Sequence, residues 1–227
     1  MILDNVITSL WREIIDWYIR KCRNWSILSK LASRVGSIEK RKQLLDTAYG
    51  LWGHIWHESD LILLFSHKLL EYIESRKLDL HLHINYELKP TNFRVMKSFY
   101  RRLCEAVRYL RAKLKMSKRW FPEIDLIIAE DKPPFIYCLE FKYYHYLPAT
   151  WNIIDDLKRK IAVLEVSKMY NVCKSVGLLL LDDTICRRDQ LLCSELKNIL
   201  GNVDKHILVL DYYVSYNELN SILNGTK

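Results

Sequence analysis

The stretch "FIYCLEFKYYHY", residues 135–146, decides how this chain folds. Aromatic, β-branched and apolar residues dominate it, which is the composition of a strand. Side chains alternate faces along a strand, so Leu139 and Phe141 share one side while Glu140 and Lys142 share the other. An isolated Glu-x-Lys is most often a solvated surface pair. Here the surrounding strand is too apolar for a surface position, and the two charges need another explanation.

The segment just before it supplies a partner. "EIDLIIAE", residues 123–130, is a second strand, and "DKPP", residues 131–134, is a turn. A hairpin centred between Lys132 and Pro133 sets Ala129 opposite Ile136, Ile127 opposite Cys138 and Asp125 opposite Glu140. Opposed residues hold their Cβ atoms about 4.5–5.5 Å apart. Two carboxylates are thereby expected side by side, with Lys142 one pleat further on. Carboxylates that close repel each other unless a positive charge lies between them. Mg²⁺ suits such a pair, because it takes one or two carboxylates together with water and phosphate oxygens. A lysine beside it can orient water or neutralise a phosphoryl transition state.

Working outward, Val6, Leu10, Ile14 and Trp17 recur at helical spacing from Asp4 to about Cys22. Further helices are expected over Ile38–Trp52 and Glu58–Ser75. "LHLHINYEL", residues 80–88, alternates as a strand and stops at Pro90. Thr91 or Asn92 is placed to cap a long helix to about Lys118. After the hairpin, residues 151–171 are expected as a helix and "SVGLLLLDD", 175–183, as a fully buried strand of the central or parallel kind. A helix over 187–200 and a strand over 205–213 complete the chain. This is an α/β protein with a mixed central sheet flanked by helices. Residues 1–56 are expected as a helical N-terminal extension and 57–227 as the main domain.

Composition narrows the function. Of 227 residues, half are hydrophobic and only 6 are Gly and 5 Pro, so a packed core with long regular elements is expected. The 35 basic residues exceed the 27 acidic by 8, which favours a polyanionic partner. The six cysteines, at 22, 104, 138, 173, 186 and 193, form neither a CxxC pair nor a zinc set, and are expected to be reduced. Their scatter also argues against an iron–sulfur nuclease. No signal-peptide pattern opens the chain and no apolar run spans a bilayer. A cytoplasmic protein is expected, neither secreted nor membrane-bound, in the host cytoplasm if the source is a virus.

Together, "PEID" (Pro122–Asp125) and "LEFK" (Leu139–Lys142) resemble the PD-(D/E)xK nuclease superfamily, whose fold is restriction-endonuclease-like. The likeness covers about residues 57–211. It departs in placing Asp125 three residues after Pro122, and in a long helical insertion between the first two strands. The resemblance implies a metal-dependent deoxyribonuclease using Mg²⁺ or Mn²⁺, held by Asp125, Glu140 and a carboxylate of the first core helix. Glu58 is the best match for that carboxylate, with Glu71 and Glu87 behind it. Lys142 would be the catalytic lysine. Asp156 and Lys158, on the helix after "LEFK", would face the substrate. The helical start and the Ile/Leu/Tyr/Lys-rich composition are also similar to nucleases of archaeal viruses. Two other functions fit the same resemblance: a Holliday-junction resolvase, acting as a homodimer, and a nucleic-acid-binding protein without catalysis.

The excess positive charge is concentrated. Lys97, Arg101, Arg102, Arg108, Arg111, Lys113, Lys115, Lys118 and Arg119 face a single acid, Glu105. On a helix, Lys97, Arg101, Arg108, Arg111, Lys115 and Lys118 fall within roughly a 100° arc. Phe99, Leu103, Ala106, Val107, Leu110 and Leu114 lie across from it. A cationic rail on one face of a packed helix is suited to phosphates and is blind to sequence. DNA is the expected partner, with RNA the other polyanion it suits. The His81/His83 pair has no third ligand in view, and Trp11, Trp17, Trp25, Trp52 and Trp56 read as core or dimer interface.

Overall fold

The computed structural model describes residues 2–34, 36–43, 57–144 and 153–214, the side chains of 2 and 22–33 excepted. Of the second expected helix, residues 38–43 are helical and the rest lies outside the described residues, as do His54, Trp52, Trp56 and the Trp25 side chain. In chain order come α1 (Ile2–Arg34), α2 (Glu58–Ser75), β1 (His81–Glu87), a 3-10 turn (Pro90–Phe93), α3 (Lys97–Lys113) and β2 (Glu123–Ala129). Then follow β3 (Phe135–Tyr144), α4 (Ile153–Met169), β4 (Cys173–Asp182), α5 (Ile185–Arg188), α6 (Gln190–Gly201) and β5 (Ile207–Tyr213).

The five strands form one open mixed sheet in the order β1-β2-β3-β4-β5. β1, β2 and β3 are antiparallel neighbours, while β3, β4 and β5 run parallel. The β2–β3 ladder pairs Leu126 with Leu139, Ile127 with Cys138 and Ile128 with Tyr137, the register expected from the turn. β3 is central, so both of its faces must be apolar. Cys138 and Tyr144 enter one core together with α3, α4 and α6; Leu139, Phe141 and Tyr143 enter the other, with α1 and α2. The protein is therefore a three-layer α/β/α arrangement.

Helix α1 is a built-in layer of this fold. Ile7, Leu10, Trp11, Ile14 and Tyr18 are buried against the sheet with Leu61, Phe65 and Leu69 of α2. Polar contacts fasten it at two points: Tyr137 donates to Asp4 at 2.7 Å, and Tyr18 donates to the buried Asp183 at the end of β4. Next to Asp183, the Asp182 carboxylate accepts the N–H groups of Thr184, Ile185 and Cys186, capping the turn into α5.

Two expectations are corrected. The single helix over 92–118 is a 3-10 turn followed by a shorter helix, Lys97–Lys113. Pro90 starts the turn, and at the far end Lys115 takes a left-handed backbone, φ 53°, which stops the helix before Lys118. The cysteines are not all reduced: Cys186 and Cys193 form a disulfide, because the reversal from α5 into α6 brings their Cα atoms to 4.7 Å.

Candidate active site

β3 carries Glu140 and Lys142 onto the face that α4 covers, and both are almost fully buried. β2 adds Asp125 from the neighbouring strand, and its carboxylate accepts the N–H of Phe141 at 2.6 Å. That bond lies just past Leu126–Leu139, the last pair of the ladder, so a side chain takes over where the strand pairing ends. Glu58 comes from the first turn of α2, a favourable end of the helix dipole for an acid. It reaches the tip of β3, where it accepts from the Tyr143 N–H at 3.3 Å. Asp156 stands in the first turn of α4.

Four carboxylates thus meet around two lysines. Lys142 Nζ lies 2.9 Å from Glu58 and 2.5 Å from Asp156. Lys160 Nζ lies 2.6 Å from Asp125, 2.8 Å from Glu140 and 3.4 Å from Glu58. Arg159 closes the outer side, 2.5 Å from Asp156. The group forms the floor of a cavity of about 570 Å³. Arg119, Trp120 and Phe121 form one wall, and Glu87 and Glu123, paired across β1 and β2, lie along it as well.

Burial and charge pull in opposite directions here. Burial pushes the Glu140 carboxyl well above its usual range; the adjacent Asp125 adds to that and Lys160 opposes it. Burial alone would lower the Lys160 ammonium, but Glu140, Asp125 and Glu58 outweigh it and hold the group charged well above the ordinary lysine range. Asp156 is also desolvated, yet Lys142 and Arg159 bring its carboxyl below the usual value. Burial, then the charges of Asp156 and Glu58, push the Tyr144 hydroxyl up.

Asp125 and Glu140 both direct one oxygen at a single cationic atom, with Glu58 close behind, which is the convergence an oxygen-ligated ion needs. The spacing is that of an ammonium, since Mg²⁺ sits only about 2.0–2.1 Å from its oxygens. Among the described residues, no group of three or more His, Cys, Asp or Glu side chains is arranged to hold a metal ion. The ligand type suits such an ion, since Asp125, Glu140 and Glu58 are all carboxylates, while the distances are those of the lysine ammonium.

The structure brings Asp125, Glu140, Lys142, Glu58 and Asp156 together in one cavity and sorts the other candidates. Glu71 is exposed and pairs with His67 at 3.4 Å, away from the site. Glu87 lines the cavity but pairs with Lys89 at 2.5 Å. Lys158 is exposed and does not line the cavity. At about 100° per residue it lies about 160° from Asp156 around α4, whereas Lys160 lies about 40° away. Lys160 and Arg159 went unrecognised in the sequence. An Asp-x-x-x-Lys pair on one helix face, with the lysine beside the Leu157–Leu164 stripe, was the available signal.

The rail is only partly as expected. Lys97, Arg101 and Arg108 are exposed on α3, while Lys115 and Lys118 are exposed on the segment after it. Arg111 is turned inward: its Nε donates to the Trp120 carbonyl at 2.7 Å, and its guanidinium stacks 4.6 Å from the Phe121 ring centre. It braces the cavity wall. His83 is half-buried, with its imidazole pKa lowered first by burial and then by His81, and His81 pairs with Asp131 at 3.2 Å. No described helix is long and apolar enough to cross a membrane.

Comparison with family models, with curated proteins and with solved structures finds no match to this chain.

Proposed function

We propose that this protein is a metal-dependent nuclease of PD-(D/E)xK type that hydrolyses DNA phosphodiester bonds. One observation carries the reading: Asp125 of β2, Glu140 of β3 and Glu58 of α2 converge on one cationic point, with Lys142 next to them. Its strand–strand pairing and its order of helix, three antiparallel strands, helix and parallel strand support a restriction-endonuclease-like core.

Asp125, Glu140 and Glu58 would hold Mg²⁺ or Mn²⁺. Such an ion supplies an activated water and neutralises charge on the phosphate. The protein's own groups do the rest. Lys142, fixed by Glu58 and Asp156, keeps an ammonium beside the nucleophile and the phosphoryl oxygens. Hydrolysis would form a bond from a water oxygen to phosphorus and break the bond to the leaving oxygen, the water giving up one proton to solvent and the leaving oxygen taking one from solvent. Arg119 and Arg159 at the cavity, with Lys97, Arg101 and Arg108 on α3, supply phosphate contacts.

The test is a cleavage panel: linear duplex, single-stranded, supercoiled and four-way-junction DNA, and RNA, each with Mg²⁺, Mn²⁺ or EDTA. Cutting that needs metal and is lost in Asp125→Ala and Lys142→Ala establishes the nuclease, and the fastest substrate defines its subclass. Salt-sensitive binding with no cutting of any substrate leaves a binding protein instead.

A further inference from the structure

We propose that Lys160 is the site's own exchangeable counter-ion, holding the point where the carboxylates converge until a divalent cation replaces it. The proposal rests on the reading that these carboxylates bind metal. Its basis is the division of labour between the two lysines. Lys142 extends from the central strand, is 2% exposed, and is tied to Glu58 and Asp156. Lys160 extends from a helix at the cavity wall and is 12% exposed, and it contacts both Asp125 and Glu140.

Both cations cannot share the point. The ammonium is 2.6 Å from Asp125 Oδ2 and 2.8 Å from Glu140 Oε2. An ion about 2.0–2.1 Å from the same oxygens would collide with it as a like charge. Lys160 must leave when metal enters, and its flexible four-carbon stem lets the ammonium swing out into the cavity. There it adds one positive charge on the side from which substrate phosphates arrive. Without metal, the same ammonium keeps Glu140 and Asp125 from facing each other as unpaired buried carboxylates, a state that is strongly destabilising. The chain thus folds stably without metal, at the cost of metal affinity.

Acylation of lysines with an N-hydroxysuccinimide ester, read by mass spectrometry on the wild-type protein, tests the exchange directly. Lys160 is expected to resist labelling without metal and to label at least about tenfold faster with saturating Mg²⁺, with the exposed Lys158 as an internal standard. Calorimetry supplies the second reading. Lys160→Met is expected to bind Mg²⁺ about 5–150-fold more tightly, the range of a typical coupling between competing occupants. Its melting temperature should be lower without metal and should gain more from Mg²⁺ than the wild type gains. Lys158→Met should match the wild type in both. Mg²⁺ binding with Lys160 still protected, or with equal or weaker affinity in Lys160→Met, overturns the exchange and leaves the nuclease reading intact. Absence of Mg²⁺ and Mn²⁺ binding in both proteins overturns the two together. If Lys160→Met fails to fold, the labelling of the wild-type chain still decides.

Discussion

Replacing Lys142 with Met probes the charge network without changing the length of the side chain much. The ammonium removed is 2% exposed and bridges Glu58 at 2.9 Å and Asp156 at 2.5 Å. Removing one partner of a buried pair costs about 3–5 kcal/mol, because the other charge is left uncompensated. Two features favour the lower end. Glu58 is 26% exposed and keeps water, and Asp156 keeps Arg159 at 2.5 Å. The expected loss is therefore about 3 kcal/mol, or about 6–12 °C in Tm for a chain this long. Urea denaturation followed by circular dichroism measures it. Asp156→Asn in the same background removes the stranded charge, so the double variant should be less destabilised than the sum of the singles by about 1–3 kcal/mol. A Lys142→Met loss below about 1 kcal/mol, or singles that add within about 0.5 kcal/mol, would refute the argument that these charges form one network.

Other outcomes follow from the same geometry. A Cβ added at Gly177 would lie 2.9 Å from Leu139 Cδ2 and 3.2 Å from the Leu208 carbonyl oxygen, which cannot yield; Gly177→Ala should cost about 1–3 kcal/mol in the same denaturation assay. The Asp156 carboxyl is depressed below its ordinary 3.8, so its contribution to stability is present above that pH and fades as pH falls through the folded value. The gap in Tm between wild type and Asp156→Asn should therefore be full at pH 6 and close in strong acid; a gap that widens in acid contradicts the assignment. If DNA binds along α3, Arg108→Ala should lower the salt slope of binding by about one, measured by anisotropy at several salt concentrations. Arg111→Ala should leave that slope unchanged and instead loosen the Trp120–Phe121 wall, read as faster proteolysis between Lys115 and Phe121.

Much of this was legible before the structure. The β2–β3 register followed from centring the Pro-containing turn between Lys132 and Pro133, and a one-residue slip would have put Asp125 and Glu140 on opposite faces. Asp125, Glu140 and Lys142 came with that register. Glu58 was reached through the order of elements rather than through any local pattern. Lys160 was not read, because a lysine on an amphipathic helix looks the same whether its end is in water or among three carboxylates; only the packing of α4 on β3 decides. The end of α3 was misjudged for a related reason. Lys115 turns left-handed with no glycine or proline to mark it, and the basic spacing simply continues past it. Arg111 counts toward the rail by angle, yet Phe121 and the Trp120 carbonyl draw it inward, a tertiary contact that periodicity does not encode.

The most direct measurement is the single-turnover cleavage rate of the best DNA substrate by wild type and Glu140→Gln, across a Mg²⁺ titration, with both proteins checked for folding beforehand. Glu140→Gln keeps the shape of the buried side chain and removes its charge. The prediction is a wild-type rate that rises with Mg²⁺ and vanishes in EDTA, and a variant slower by about 10²-fold or more at every Mg²⁺ concentration, the order of loss for one transition-state charge contact. Equal rates for the two folded proteins, or cleavage that persists in EDTA, would contradict the assignment of Glu140 and its neighbours as a metal-dependent nuclease site.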